Sequence, residues 1–232
     1  MNAPAAEPAG PLTTDPARAL AAVAAAEERL LRSVRRMRPE QVGEPSALPG
    51  WTRGHLLTHI ARNADALGNL LTGARSGTPT PMYPSPEARD RDIEAGAGRP
   101  LDEQLRDLSD AGQRLAELAA AVPADAWAVE VPHRQGPFPA GRVPAKRLGE
   151  VEYHHVDLAL GYIPEQWPAE FVALELGPLT ARQLASGALA PELLERIGRA
   201  SDHARLAWLS GRSDGSDLGV PTADLPGLPA LG

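Results

Sequence analysis

Glu150 and His154 stand four residues apart in a segment whose pattern predicts a helix. On a helix, side chains four apart project from the same face, one turn above the other. A carboxylate and an imidazole presented together are two thirds of the three-ligand set that holds an open divalent-metal site. His59, on a second predicted helix, is the best candidate for the third ligand. The sequence therefore predicts a divalent metal held between two helices by His59, Glu150 and His154.

A Glu and a His at this spacing also occur by chance on solvated helix faces, where they make only a weak contact. Against that alternative, Val151, Val156 and Leu158 make the surrounding helix apolar, and ionisable groups in such a setting need partners. Asp157, three residues after His154, is a candidate outer partner that orients a metal ligand; the alternative is a surface aspartate.

The expected metal is zinc, because two imidazoles and one carboxylate suit it, although nickel, iron and manganese accept the same ligands. Three protein ligands leave coordination positions free for other molecules. This property is typical of catalytic rather than structural metal sites.

Composition excludes several classes of protein. The 232 residues carry a formal net charge of -7 and no basic run, so nucleic acid is not an expected partner. There are no cysteines, which excludes disulfides, zinc-thiolate ligation and catalysis by a protein thiol. No stretch is long and apolar enough to span a bilayer, and the N-terminus lacks a signal-peptide pattern, so we expect no membrane partner and a cytoplasmic location.

The aromatic content of 4% implies a core of Leu, Ala and Val, which favours helices over sheets. Apolar periodicity and capping residues predict a helix that opens at Asp15 and Pro16 and ends by Pro39. They predict further helices over about 52–71, 86–94, 101–122 and 144–161, and alternation over 127–131 predicts a short strand. Four long amphipathic helices with one long connection indicate a mainly α four-helix bundle with a crossover.

Three regions follow from this pattern. Residues 1–13 are rich in Ala, Pro and Gly and are expected to be disordered. Residues 14–165 form the bundle. Residues 166–232 form a small, mostly helical C-terminal region, with helices expected over 167–176, 180–185, 190–197 and 202–209 and a break at Gly177 and Pro178.

Four segments, in order along the chain, carry a family resemblance. They are LPGWTRGHLLTHIARNA at 48–64, PMY with SPEAR at 81–89, EVEYHHVDL at 150–158 and LAWLSGRSDG at 206–215. Together they resemble the mycothiol-dependent maleylpyruvate isomerase family, which belongs to the DinB-like metal-binding bundles. The resemblance spans nearly the whole bundle. It implies that His59, Glu150 and His154 are the metal ligands and that Arg212 is an active-site or thiol-cofactor contact.

Tyr83 and Arg89 are further candidates for cofactor binding. They lie on a proline-bounded loop and on the helix after it, and binding residues often lie on loops held by a rigid scaffold. The alternatives are that Tyr83 packs against the bundle and that Arg89 is solvated.

The resemblance implies a metal- and mycothiol-dependent cis-trans isomerase of a maleylpyruvate-like enedioyl acid. In that reaction the mycothiol thiolate adds to the carbon–carbon double bond, which becomes a single bond. The adduct rotates about this single bond, and elimination of the thiol gives the trans product. Arg212 would pair with a substrate carboxylate or a developing enolate. A mycothiol S-transferase and a non-catalytic metal- or partner-binding bundle remain alternatives, whereas no nucleophile motif supports a hydrolase.

One departure from the family pattern concerns the C-terminal region. The family places a small α/β domain before its Gly-Arg motif, whereas residues 167–205 show no convincing strands. We therefore expect a reduced extension, and this leaves the substrate less certain than the metal ligands.

Overall fold

The fold was analysed in a computed structural model that describes residues 12–134 and 136–228. Helices dominate it. In chain order they are α1 (Pro16–Val34), α2 (Arg53–Ser76), α3 (Pro86–Ala97), α4 (Leu101–Ala120), α5 (Val143–Asp157), α6 (Ala169–Ala185), α7 (Pro191–Ile197) and α8 (Asp202–Leu209). This confirms the predicted mainly α bundle with a helical C-terminal extension. None of the described helices is long and apolar enough to cross a membrane.

Side-chain caps define where several helices begin, as their sequences predict. The Asp15 carboxylate accepts a hydrogen bond from the backbone N–H of the third helical residue of α1. Thr52, Ser85 and Ser201 cap α2, α3 and α8 in the same way. Each cap satisfies a donor that the helix itself leaves unpaired.

The four long helices α1, α2, α4 and α5 form the bundle. α2 packs against α4 and α5, and α1 packs against the same two helices from the other side. The core between them is aliphatic, as the composition predicts. α2 continues to Ser76, five residues beyond its predicted end, because Ala74 is also buried; Gly77 then ends it with φ 71°.

The predicted strand is shorter than the alternating pattern suggests. Only Glu130–Val131 (β1) is extended, and it pairs antiparallel with Phe138–Pro139 (β2). Trp127 and Ala128 belong instead to a short 3₁₀ turn. This hairpin lies in the connection between α4 and α5 and brings His133 and Arg134 beside the bundle.

α3 lies across α2 at a position that only a glycine allows. A Cβ on Gly54 would stand 2.0 Å from the carbonyl oxygen of Ala97, and one on Gly96 would stand 2.4 Å from the Thr58 side chain. The close approach fixes α3, and with it Arg89, beside the part of α2 that carries His59.

The C-terminal region contains α6, α7 and α8, and α8 packs on α6. The predicted break at Gly177 and Pro178 is wrong, because α6 runs through both residues. The proline removes one backbone hydrogen bond. Val172 and Leu179 are nevertheless buried on either side of it, so packing of the apolar face keeps the helix continuous.

The terminal residues 1–11 and 229–232 lie outside the described residues, and so does most of the segment predicted to be disordered. Leu12 is described and is buried against the core.

A buried arginine links three helices of the bundle. The fully buried Arg147 of α5 donates two hydrogen bonds to Glu27 Oε1 of α1, at 2.9 and 2.8 Å. It also donates to the carbonyl of Ile60, at 2.7 Å, and to Asn63 Oδ1, at 3.1 Å, both on α2. A buried charge is tolerated only when its hydrogen bonds and its countercharge are satisfied together, as they are here.

We predict that Glu27→Gln destabilises the protein by about 2–3 kcal/mol, because it leaves the Arg147 guanidinium buried without its countercharge. Glu28→Gln is the matched control, since Glu28 is exposed and pairs only with Arg32 on the same helix. Urea unfolding followed by circular dichroism measures both. Equal and small effects would show that Glu27 does not balance this charge.

Candidate metal centre

The three predicted metal ligands come together at one point between α2 and α5. His59 Nε2 lies 3.1 Å from His154 Nε2 and 3.2 Å from Glu150 Oε2. His154 Nε2 lies 3.5 Å from the same carboxylate oxygen. Both imidazoles are buried, whereas a third of the Glu150 side chain is exposed. The cluster therefore opens toward solvent on the Glu150 side.

These separations fit a single metal ion. Zinc binds imidazole nitrogen and carboxylate oxygen at about 2.0–2.2 Å, so neighbouring ligands of a tetrahedral ion stand about 3.3–3.5 Å apart. All three ligand atoms lie within 4.8 Å of one another. The donor set is two nitrogens and one oxygen, which suits zinc and other divalent transition metals.

Burial and hydrogen bonds set the charges of the three ligands. Burial is the main cause that lowers the pKa of His59 to about 4, so this imidazole is neutral near pH 7. Burial alone would raise the pKa of Glu150, but hydrogen bonds to His154 and His59 outweigh it and hold that pKa well below its usual range. An ionised carboxylate and a neutral imidazole are the forms that bind a metal.

A second row of residues orients His154. Its Nδ1 lies 2.9 Å from Asp157 Oδ2, which confirms the predicted contact between the two side chains. Burial alone would lower the pKa of His154, but its hydrogen bonds to Asp157 and Glu150 raise it. A carboxylate on Nδ1 leaves Nε2 aimed at the cluster, as in the carboxylate–histidine pairs of metal sites.

Arg212 holds that aspartate from the C-terminal region. Its Nη2 donates to Asp157 Oδ2 at 2.6 Å, and the two side chains are each only 2% exposed. Its Nη1 donates to the carbonyl of Ser210, and its guanidinium carbon lies 4.4 Å from the centre of the Tyr153 ring. Arg212 thus stands behind His154, and it is not among the residues that line the two cavities described below.

Arg89 reaches the other imidazole. Its Nη2 lies 3.4 Å from His59 Nδ1, and Trp51 packs edge-on against the His59 ring at 5.4 Å. A guanidinium can only donate a hydrogen bond, so His59 Nδ1 accepts here and the proton lies on Nε2. A metal at Nε2 needs the opposite tautomer and would release Arg89 from this contact.

His55, one turn before His59, does not join the cluster. Its Nδ1 lies 2.7 Å from Thr52 Oγ1 and its Nε2 lies 3.1 Å from Glu94. It therefore helps to cap α2.

Two cavities adjoin the cluster, and the larger of these two opens above it. It has a volume of about 470 Å³ and is lined by His59 and Glu150 at its floor and by Met82, Tyr83 and Arg89 on its wall. The Tyr83 hydroxyl is buried, and no described residue makes a hydrogen bond of good geometry with it; the Arg89 guanidinium lies near enough to act in the direction that lowers the pKa of that hydroxyl. Burial, followed by the charge of Glu150, raises its pKa to about 12. The hydroxyl therefore keeps its proton and can donate to a molecule in the cavity.

A smaller, more polar cleft adjoins the larger cavity at Glu150. It has a volume of about 220 Å³ and is lined by Glu150 and His154 together with Lys146, Glu175 and Arg182. The last two side chains belong to α6, so the C-terminal region forms one wall.

The sequence analysis did not identify this cleft. Lys146 precedes Glu150 by one helical turn, and that spacing was a usable signal. Glu175 and Arg182 lie on α6, and no local pattern connects them to α5. Tyr83 and Arg89, on the proline-bounded loop and on the helix after it, both line the larger cavity.

Comparison with known proteins agrees with this geometry. The family model for the mycothiol maleylpyruvate isomerase N-terminal domain matches residues 23–159, more than half of the chain. A crystal structure of the mycothiol-dependent maleylpyruvate isomerase superposes with a TM-score of 0.86 at 26% identity, and the alignment covers 96% of this chain and 100% of that one. A histidine-to-alanine mutant of such an isomerase gives a TM-score of 0.81 at 26% identity, covering 92% and 98%. No curated protein sequence matches.

The fold and the site together define a helical bundle whose facing helices present two imidazoles and a carboxylate at the floor of an open cavity. The chain belongs to the mycothiol maleylpyruvate isomerase N-terminal domain family. The alignment with the first crystal structure extends through most of the C-terminal region. The alignment therefore covers nearly the whole length of both chains.

We predict that the purified protein binds about one equivalent of zinc and that His59→Ala and His154→Ala each remove it, because two remaining ligands hold a metal weakly. His55→Ala is the matched control: it alters a neighbouring histidine on the same helix that caps α2. Elemental analysis after dialysis measures the metal. Retention of zinc by both ligand variants, or its loss from His55→Ala as well, would contradict the assignment.

Proposed function

We propose that this protein is a metal- and mycothiol-dependent cis-trans isomerase of a maleylpyruvate-like enedioyl acid. The observation that carries the proposal is the convergence of His59, Glu150 and His154 at the floor of a cavity large enough for a cofactor. Family membership supports the reaction class, because the related crystal structures are of mycothiol-dependent maleylpyruvate isomerases.

The residues fit the two groups that this reaction needs. Bound together, a divalent metal and mycothiol would supply a thiolate that adds to the cis double bond and leaves again after rotation. The chain has no cysteine of its own, so the thiol must come from outside. His59, Glu150 and His154 would hold the metal, and the cavity of about 470 Å³ has room for the thiol cofactor.

The chain supplies positioning behind the ligands. Asp157 keeps the Nδ1 proton on His154. Arg212, which follows α8 in the chain, holds Asp157 in place through their ion pair. In this arrangement Arg212 acts through His154. A direct contact between Arg212 and the substrate or the thiol, which the family resemblance suggests, would require its buried ion pair with Asp157 to open.

Tyr83 and Arg89 supply the hydrogen bonds and the charge above the ligands. The Tyr83 hydroxyl is protonated, buried and without a hydrogen bond of good geometry in the described chain, so it can donate to an anionic atom in the cavity. The Arg89 guanidinium is near enough to His59 to meet an anion bound beside it. Both groups would stabilise negative charge on the sulfur or on the reacting acid.

We predict that Tyr83→Phe lowers kcat/KM about tenfold or more while leaving stability unchanged or slightly higher, because the lost hydroxyl makes no hydrogen bond of good geometry in the described structure. Tyr162→Phe is a matched control: its hydroxyl donates to Glu152 away from the cavity, so this variant should lose stability and keep kcat/KM. Thermal unfolding and the isomerase assay separate the two effects. A Tyr83→Phe enzyme with full activity would remove Tyr83 from the mechanism.

The reaction itself is tested by following maleylpyruvate by proton NMR with zinc-loaded protein and a small, known amount of mycothiol. We expect many molecules of the trans isomer per molecule of mycothiol, because elimination returns the thiol. The same protein treated with a chelator, and Glu150→Gln, should be inactive.

Two other outcomes would overturn the proposal. Consumption of one mycothiol for each product formed, with a stable thioether adduct, would indicate the S-transferase alternative. Tight zinc binding with no reaction of either kind would indicate a metal-binding bundle without this chemistry.

A further inference from the structure

The polar cleft beside Glu150 carries an unusual charge for this protein. The whole chain has a net charge of -7, yet the cleft is lined by Arg134, Lys146 and Arg182. None of these three cations forms a salt bridge with another residue of the described chain. Lys146 Nζ lies 4.8 Å from the centre of the Phe138 ring, an aromatic contact that leaves its charge in place. A concave surface lined by cations without carboxylate partners concentrates the field and attracts anions.

The acidic residues of the cleft do not cancel this charge. Glu150 belongs to the candidate metal cluster, and a bound dication would neutralise it. Glu175 accepts a hydrogen bond from the Tyr153 hydroxyl at 3.2 Å, and burial raises the pKa of its carboxyl. Even with both carboxylates ionised, the lining sets two negative charges against three positive ones, so an excess of positive charge remains.

A glycine keeps the cleft open. Gly149 lies in the middle of α5, where glycine is less favourable than alanine. Its neighbours do not require the absence of a side chain: a Cβ there would stand 3.8 Å from Glu175 Oε1 and 4.0 Å from Tyr153, both ordinary contacts. Gly54 differs, since a Cβ there would collide with Ala97. Free space within the cleft is thus what Gly149 provides.

We propose that this cleft, lined by Lys146, Gly149 and Arg182, is the subsite that binds a carboxylate of the dicarboxylate substrate. The inference rests on the proposed function and adds to it the place and the chemistry of substrate recognition. The cleft and the larger cavity are continuous beside the candidate metal cluster, because both are lined by Asn63, Met82, His133, Arg134 and Glu150; Lys146 and Arg182 line the cleft alone. A dicarboxylate anchored in the cleft would present its double bond there, while the larger cavity takes the thiol cofactor.

The test is binding of maleate, a cis-enedioate, to zinc-loaded protein by isothermal titration calorimetry. We expect Lys146→Gln and Arg182→Gln each to weaken maleate binding about three- to tenfold, the effect of one partly exposed charge pair. Arg36→Gln is the control, because it removes the same charge from an exposed residue outside both cavities. In the isomerase assay, the two cleft variants should raise KM for the acid and leave KM for mycothiol unchanged.

Gly149 gives a second, independent test. Gly149→Ala should raise the melting temperature, because alanine favours the helix, and should weaken maleate binding, because its methyl group occupies the cleft. Gly177→Ala on α6 is the control, since its Cβ would meet nothing within 4 Å and it lies outside the cleft. A more stable Gly149→Ala protein with unchanged maleate affinity would overturn the assignment.

The failure of this inference and that of the proposed function can be distinguished. Wild-type protein that isomerises maleylpyruvate while Lys146→Gln and Arg182→Gln keep normal maleate affinity would refute the subsite alone. Protein that shows no isomerisation, but binds maleate in a way that both substitutions weaken, would refute the function and leave the anion subsite standing. Absence of maleate binding to the wild type would also refute the subsite.

Discussion

The separation of α2 and α5 depends on one buried charge. Arg147 lies one turn before Glu150, and its partners on α2, Ile60 and Asn63, follow directly after His59. Two ligands from different helices can meet within 3.2 Å only if the helices are held at a fixed distance and rotation. The guanidinium provides this fixed spacing, because its planar set of donors accepts few arrangements. The opposite partner, Glu27, extends the same constraint to α1.

A second buried charge connects the candidate metal centre to the C-terminal region. Asp157 needs a countercharge because it is almost completely buried, and Arg212 of the Gly-Arg motif provides it. The motif lies 55 residues from Asp157 in sequence, yet it determines how His154 presents Nε2. The C-terminal region therefore does more than cover the bundle. It supplies Arg212, which pairs with Asp157 behind the ligand His154, and it contributes Glu175 and Arg182 to the cleft.

The sequence was informative wherever the structure repeats a local rule. Capping residues located the starts of α1, α2, α3 and α8, and the four-residue spacing of Glu150 and His154 identified two ligands on one face. His59 could be proposed because a bundle brings different helices together. Pairings between distant segments were not readable: nothing near Arg212 indicates that it faces Asp157 rather than the cavity. The break predicted at Pro178 was wrong for a related reason. Proline disfavours a helix interior, but the burial of Val172 and Leu179 against distant segments outweighs that local preference.

The cavity and the cleft that meet at Glu150 are the features of the fold on which the proposed chemistry depends. A reaction between a thiol cofactor and an acid requires two different molecules to meet at one place without competing for the same contacts. The bundle provides a large cavity bounded by a proline-rich loop and, continuous with it at Glu150, a cationic cleft. The loop side offers apolar walls with a donor hydroxyl at Tyr83, and the cleft offers cations at Lys146 and Arg182. The Glu150 carboxylate at their junction, whose side chain is one third exposed, is thus the point that both molecules would approach, and the buried imidazoles of His59 and His154 lie beside it.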